Sequence, residues 1–151
     1  MTTTATAHPD IRRELPDAYR ALAALTRASS DIDHGLAELV KVRVSQINGC
    51  AYCVDLHAGL ARAAGVPERT LYAVAVWHEA PFFTPSERAA LQLAESLTLL
   101  ATGPVPDAAY AEAAAHFPGQ LLAQLVIVIT AINAWNRVML ASGQAPAEHA
   151  K

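Results

Sequence analysis

No stretch of this chain alternates apolar and polar residues for long enough to commit to a β-strand. Apolar residues recur instead at helical spacing, between clear start and stop signals, and that pattern restricts the chain to an all-α fold. Tyr19, Leu22, Ala23 and Leu25 mark a first helix from Pro16 to about Thr26, broken at Ser29-Ser30-Asp31. Asp33 suits the N-cap of a second helix, His34 to Ile47, which ends at Asn48-Gly49 because glycine takes the left-handed cap conformation without a Cβ clash. A third helix runs from Cys50 to Ala64, and Pro67 suits the first turn of a fourth that reaches Trp77. Thr84-Pro85-Ser86-Glu87 supplies a cap, an N1 proline and a capping-box glutamate for a fifth, extending to about Ala101. Helices from Asp107 to His116 and from Pro118 towards Ser142-Gly143 bring the total to seven.

The 151 residues fit one domain over 11–142, with a disordered lead-in over 1–10 and a flexible tail over 143–151. A chain of this size buries enough surface to fold without a disulfide or a metal. With 17% charged residues and a net charge of −3 there is no basic stripe to hold a phosphate backbone, so nucleic acid is not an expected partner. The Thr/Ala-rich N-terminus has no apolar run of the secretory type, so a cytoplasmic location is expected. Leu121 to Ile132 is the most apolar stretch, shorter than the about 20 residues a bilayer requires. A helix apolar nearly all round must be covered on every side, and in a small domain a second copy of the chain is expected to supply part of the cover.

Cys50 and Cys53 are the chain's two cysteines, one helical turn apart in Cys50-Ala51-Tyr52-Cys53. In a reducing compartment such a pair points to redox catalysis or metal binding rather than to a structural staple. His57 is at i+4 from Cys53, so all three side chains project from one helix face. Glu38 lies on the preceding helix, and the break at 47–49 allows its carboxylate to approach His57 from across a helix contact. Nucleophile, base and orienting carboxylate are then together, the usual arrangement for activating a thiol. A buried pair of small residues and a zinc site using Cys50, Cys53, His57 and Glu38 are the competing readings, although three residues between Cys53 and His57 is not a zinc-finger spacing. Trp77, Phe82, Phe83 and Trp135 are expected in core or subunit contacts, and Asn133, Asn136 and Arg137 in ties to buried backbone or an interface.

Glu38, eleven residues, Cys50-x-x-Cys53, three residues and His57 resemble the core signature of the AhpD-like alkylhydroperoxidases in the carboxymuconolactone decarboxylase superfamily. Val42 to Cys53, Glu79 to Phe83, Glu87 to Leu91 and Ile132 to Arg137 resemble further segments of its small cysteine-containing members, so that the resemblance covers about residues 15 to 140. It implies an AhpD-like helical fold assembled as a homo-oligomer, commonly a trimer or hexamer. It also implies reduction of a hydroperoxide by the dithiol, with regeneration by an external thiol or dithiol and no cofactor or metal. Cys53 would attack the peroxide, Cys50 would resolve the sulfenic acid, and Glu38 and His57 would relay the proton. Tyr52 stands where better-studied members carry a histidine, and a phenol is a poor base near neutral pH. A general thiol-disulfide oxidoreductase and a non-enzymatic redox-responsive oligomer are alternatives. Muconolactone-type decarboxylation is a third, but it has no need of the dithiol.

Overall fold

In the computed structural model residues 8–28 and 31–147 are described, and every regular element among them is helical. The order is α1 (Ile11–Glu14), α2 (Pro16–Arg27), α3 (His34–Asn48), α4 (Ala51–Ala63), α5 (Glu68–Ala73), α6 (Pro85–Thr98), α7 (Asp107–His116) and α8 (Gln120–Ala141). Short 3₁₀ turns follow α5 at Val74–Val76 and α6 at Leu100–Thr102. The count exceeds the expected seven because of α1, a single turn capped by the Asp10 carboxylate, which accepts from Arg13 N–H at 3.0 Å. One turn is too short to leave a periodic trace in the sequence.

The best-marked boundaries follow their signals. Asp33 caps α3 by accepting from Leu36 N–H at 2.9 Å, and Thr84 and Glu87 complete a reciprocal capping box ahead of α6. Elsewhere the helices are shorter than expected: Cys50 and Pro67 are N-caps rather than first-turn residues, α6 stops at Thr98, and α8 begins after Gly119. Residues 1–7 of the expected lead-in and 148–151 of the expected tail lie outside the described residues. His8 Nδ1 donates to Ala141 O at 3.0 Å, so the segment ahead of α1 meets the C-terminal end of α8.

The core is organised about α3, which is apolar on two sides. Val40 and Val44 pack with Ala90, Leu93, Leu125 and Ile129 in one cluster. Leu39 and Val42 join Leu71, Val74, Trp77 and Leu91 in another. Trp77 and Phe83 are core residues, as expected, and Phe82 is half-buried against them. Placed between α4, α6 and α8, α3 can bury Glu38 to 2% exposure, because α4 brings one partner to its carboxylate and α3 itself supplies another.

Helix α8 has 22 residues, and its most apolar 18 have a mean hydropathy of 1.5, enough by length and composition alone to cross a membrane, which the shorter run Leu121 to Ile132 did not suggest. In this fold it buries Leu125, Val128, Ile129, Ile132 and Met139 against the rest of the chain and carries α2 on another side. Helix α2 contributes no fully buried residue.

Candidate active site

The cysteines are placed by the way α3 ends. Gly49 takes φ +71°, and Cys50 N–H reaches back to Ser45 O at 3.0 Å, closing the helix end. The chain reverses at once, and α4 packs along α3 in the most extensive helix pair of the fold. Cys50 is left at the N-cap of α4, where its Sγ accepts from Cys53 N–H at 3.3 Å. A sulfur at a helix N-terminus lies at the positive end of the dipole, the environment that favours a thiolate.

A polar cluster braces this turn. Asn48 Nδ2 donates to Asn133 Oδ1 at 2.9 Å and to Asn136 Oδ1 at 2.8 Å, and Asn136 Nδ2 donates to Ser45 Oγ at 2.9 Å. Asn136 and Ser45 are both 0% exposed. Asn133 and Asn136 thus bind side chains at the turn before the cysteines, while Arg137 donates to Asn133 O at 2.7 Å.

Cys50 and Cys53 are joined by a disulfide, with Cα atoms 5.3 Å apart and both residues buried. Their sulfurs are bonded to each other and so are not thiolate ligands for a metal in this form. The two are not equivalent. Cys53 lines a cavity of about 180 Å³ between α2, α3, α4 and α8, and Cys50 does not. His57, one turn beyond Cys53, lines the same cavity, with Tyr52, Leu56 and Lys41. Tyr19, Val128, Ile132 and Trp135 make its apolar side.

Glu38 binds a different partner at each oxygen. Oε2 accepts from His57 Nδ1 at 2.6 Å, and Oε1 accepts from Lys41 Nζ at 2.6 Å. His34 Nε2 lies 3.6 Å from Oε1 at the exposed edge. Burial pushes the Glu38 carboxyl up, but hydrogen bonds from His57 and Lys41 and their nearby charge outweigh it, and the group is held below the ordinary 4.5. An ionised carboxylate only accepts, so His57 Nδ1 carries the proton and Nε2 takes no part in the bond to Glu38. The four residues expected from the sequence are therefore brought together.

Lys41, Tyr19 and Trp135 were not among them. Lys41 stands at i+3 from Glu38, a spacing that marks ion pairs on solvated faces just as well, and its side chain is 14% exposed here. Trp135 was expected in core or subunit contacts more than in a pocket; it packs edge-to-face on Tyr19 at 4.8 Å, donates to Thr26 Oγ1 at 2.8 Å and also faces the cavity.

A second, partly buried carboxylate lies apart from this site. Glu95 accepts from Arg43 at 2.7 Å, Trp77 at 2.8 Å and His78 at 3.2 Å, tying α3 and the turn after α5 to α6. Burial raises its carboxyl, and these three donors more than reverse the effect.

An all-α chain with a Cys-x-x-Cys at a helix N-terminus and a Glu-His pair beside it defines a class of dithiol protein, and comparison places it. The sequence model of the Carboxymuconolactone decarboxylase family matches residues 13–96, and the chain belongs to that family as an AhpD-like member. It is 42% identical over 114 residues to the Uncharacterized protein YdfG of Bacillus subtilis (strain 168), covering 76% of this chain and 78% of that one. The solved structure of ATU0492 from Agrobacterium tumefaciens, a protein of unknown function for which antioxidant defence as AhpD has been suggested, superposes with a TM-score of 0.88. That pair is 35% identical, over 95% of this chain and all of the other. The apo debrominase Bmp8 is similar in fold alone, with a TM-score of 0.77 and 20% identity over 88% of this chain and 73% of its own.

Proposed function

We propose that this protein is a thiol-dependent peroxidase that cycles Cys50 and Cys53 between dithiol and disulfide. The Cys53 thiolate attacks the terminal oxygen of a hydroperoxide ROOH; the O–O bond breaks, sulfur is oxidised to Cys53-SOH, and the leaving alkoxide takes a proton to become ROH. The Cys50 thiol then attacks the sulfenic sulfur, an S–S bond forms and water leaves. Two thiols of an external donor, or one dithiol, reduce the disulfide and are themselves oxidised. His57 Nε2 moves the proton at Cys53 and at the leaving oxygen, Glu38 fixes the ring, and Lys41 balances the Glu38 charge so that the pair does not require an imidazolium.

The observation that carries this reading is that Cys53 and His57 line one cavity while Glu38 grips the far nitrogen of His57. The suggested antioxidant role of the Agrobacterium relative supports the choice of oxidant. The fold alone does not select the reaction, since a debrominase shares it. Self-association belongs to the same proposal: α8 leaves Leu122, Val126 and Ile127 only half-buried within one chain, and a second copy would cover them.

The test is steady-state consumption of hydroperoxide with a dithiol donor, with one alcohol formed per donor dithiol oxidised. A single oxidation of the protein without turnover under any donor would instead favour a redox-responsive oligomer.

A further inference from the structure

We infer that the cavity facing Cys53 accepts a hydroperoxide whose body is about the size of one aromatic ring, and that Tyr19, Tyr52 and Met139 set this limit. They do so by walling the cavity off from a second, polar one. The inference takes its reacting group from the peroxidase reading, but the size limit follows from the shape of the molecule.

An apolar cavity of about 150 Å³ holds a single benzene molecule. The cavity at Cys53, about 180 Å³ and walled by Val128, Ile132 and Trp135, therefore has room for a ring or a branched alkyl group and little more. Beyond it lies a cavity of about 270 Å³ lined by Asp10, Arg12, Ser142 and Gln144. Tyr19, Tyr52 and Met139 line both, and they come from α2, α4 and α8. The partition is thus a joint of three helices rather than one mobile side chain. Tyr19 is fixed within it: its ring meets Trp135 at 4.8 Å, and the Arg12 guanidinium sits 5.9 Å from its centroid on the side of the polar cavity. An extended acyl chain with its hydroperoxide at Cys53 could stay within the protein only by crossing this wall, and otherwise leaves its far end in solvent at the cavity mouth, whereas a compact substrate is held within the first cavity.

Tyr19 is the member that can be shortened without excavating the core, because α2 holds no fully buried residue. Met139 is 8% exposed within the main cluster, and Tyr52 lies between the cysteines, so neither separates cleanly from stability or chemistry.

The experiment measures binding to the oxidised protein by calorimetry, using two alcohols that cannot react: 2-phenyl-2-propanol and a long straight-chain hydroxy fatty acid. A pocket that discriminates by one methylene does so by about tenfold or more, so the wild type is expected to favour the compact alcohol by at least about that factor. In Tyr19→Ala the two cavities merge, and the preference should fall about tenfold or reverse, chiefly through gain of the long ligand, while Tyr19→Phe keeps the wild-type ratio. Tyr19→Val opens the same wall and serves if the alanine variant does not fold. A wild type that prefers the long ligand, or an opened variant with an unchanged ratio, overturns the size limit. Turnover of the matching hydroperoxides is read separately: absent turnover with the expected binding ratios removes the peroxidase reading and leaves the size limit standing.

Discussion

His57 Nδ1 and Glu38 Oε2 lie 2.6 Å apart across the α3–α4 contact, although nineteen positions separate them in the chain. The carboxylate, 3% exposed at its side chain, can serve the imidazole because Lys41 occupies its other oxygen. Replacing Glu38 with Gln keeps the shape and removes the charge. Peroxide-driven oxidation of the dithiol should slow by at least about tenfold, since positioned proton transfer contributes factors of about a hundred or more. Stopped-flow oxidation with circular dichroism alongside checks this; an unchanged rate in a folded variant contradicts the relay.

Lys41 is expected to act through Glu38 and not on the substrate. In Lys41→Met the carboxylate keeps only the two histidines as partners, and its unbalanced charge favours an imidazolium at His57, which has no free lone pair to take a proton. The acid limb of the rate profile should then move to higher pH, and Lys41→Arg should restore it. A uniform loss of rate at every pH in both variants would mean that Lys41 is only structural.

The two carboxylates held low by their donors predict the response to acid. Glu38 and Glu95 both titrate below the ordinary 4.5 in the folded chain. The unfolded chain therefore binds more protons as pH falls, so the stability that these groups contribute is full above about 4.5 and is lost as pH drops through their folded values. Urea midpoints should be flat above that pH and decline below it. The variant Glu95→Gln should shrink the decline while leaving peroxide turnover intact; a decline identical to that of the wild type contradicts the assignment.

Asn136 is expected to matter for stability more than its size suggests. Truncation to Ala leaves the Ser45 hydroxyl without its donor and the Asn48 amide with one acceptor fewer, in a site closed to water. An orphaned buried polar group costs about 1–3 kcal/mol, so Asn136→Ala should lower the midpoint of chemical unfolding by a cost in that range or somewhat above it. A change below about 0.5 kcal/mol, the level of an ordinary surface substitution, contradicts the bracing role.

What could be read from the sequence was what local rules govern. The Thr84 capping box, the Asp33 cap and the Gly49 stop are contained in a few adjacent residues, and each falls where its chemistry puts it. The Cys50, Cys53 and His57 cluster follows from two successive turns of one helix, and Glu38 was reachable because a tight reversal must fold α4 onto α3. Lys41 was hidden because an i, i+3 pair reads the same on a buried face as on a solvated one. Tyr19 and Trp135 meet across 116 residues of chain, and α1 is too short for any period; neither leaves a local signal. The division of labour proposed for Cys53 and Cys50 was implied only by resemblance; no sequence rule shows that Cys53 lines the cavity and Cys50 does not.

The central claim is that Cys53 is the sulfur that meets the peroxide. In Cys50→Ser, where no disulfide can form, one equivalent of an organic hydroperoxide followed by a sulfenic-acid trap should label Cys53, as read by peptide mass spectrometry, with excess peroxide driving it to the sulfinic acid. The account predicts that label, and predicts that Cys50 in the Cys53→Ser protein stays unlabelled over the same time. Rapid labelling of Cys50 in the Cys53→Ser protein, or no label at Cys53 in the Cys50→Ser protein, would contradict it.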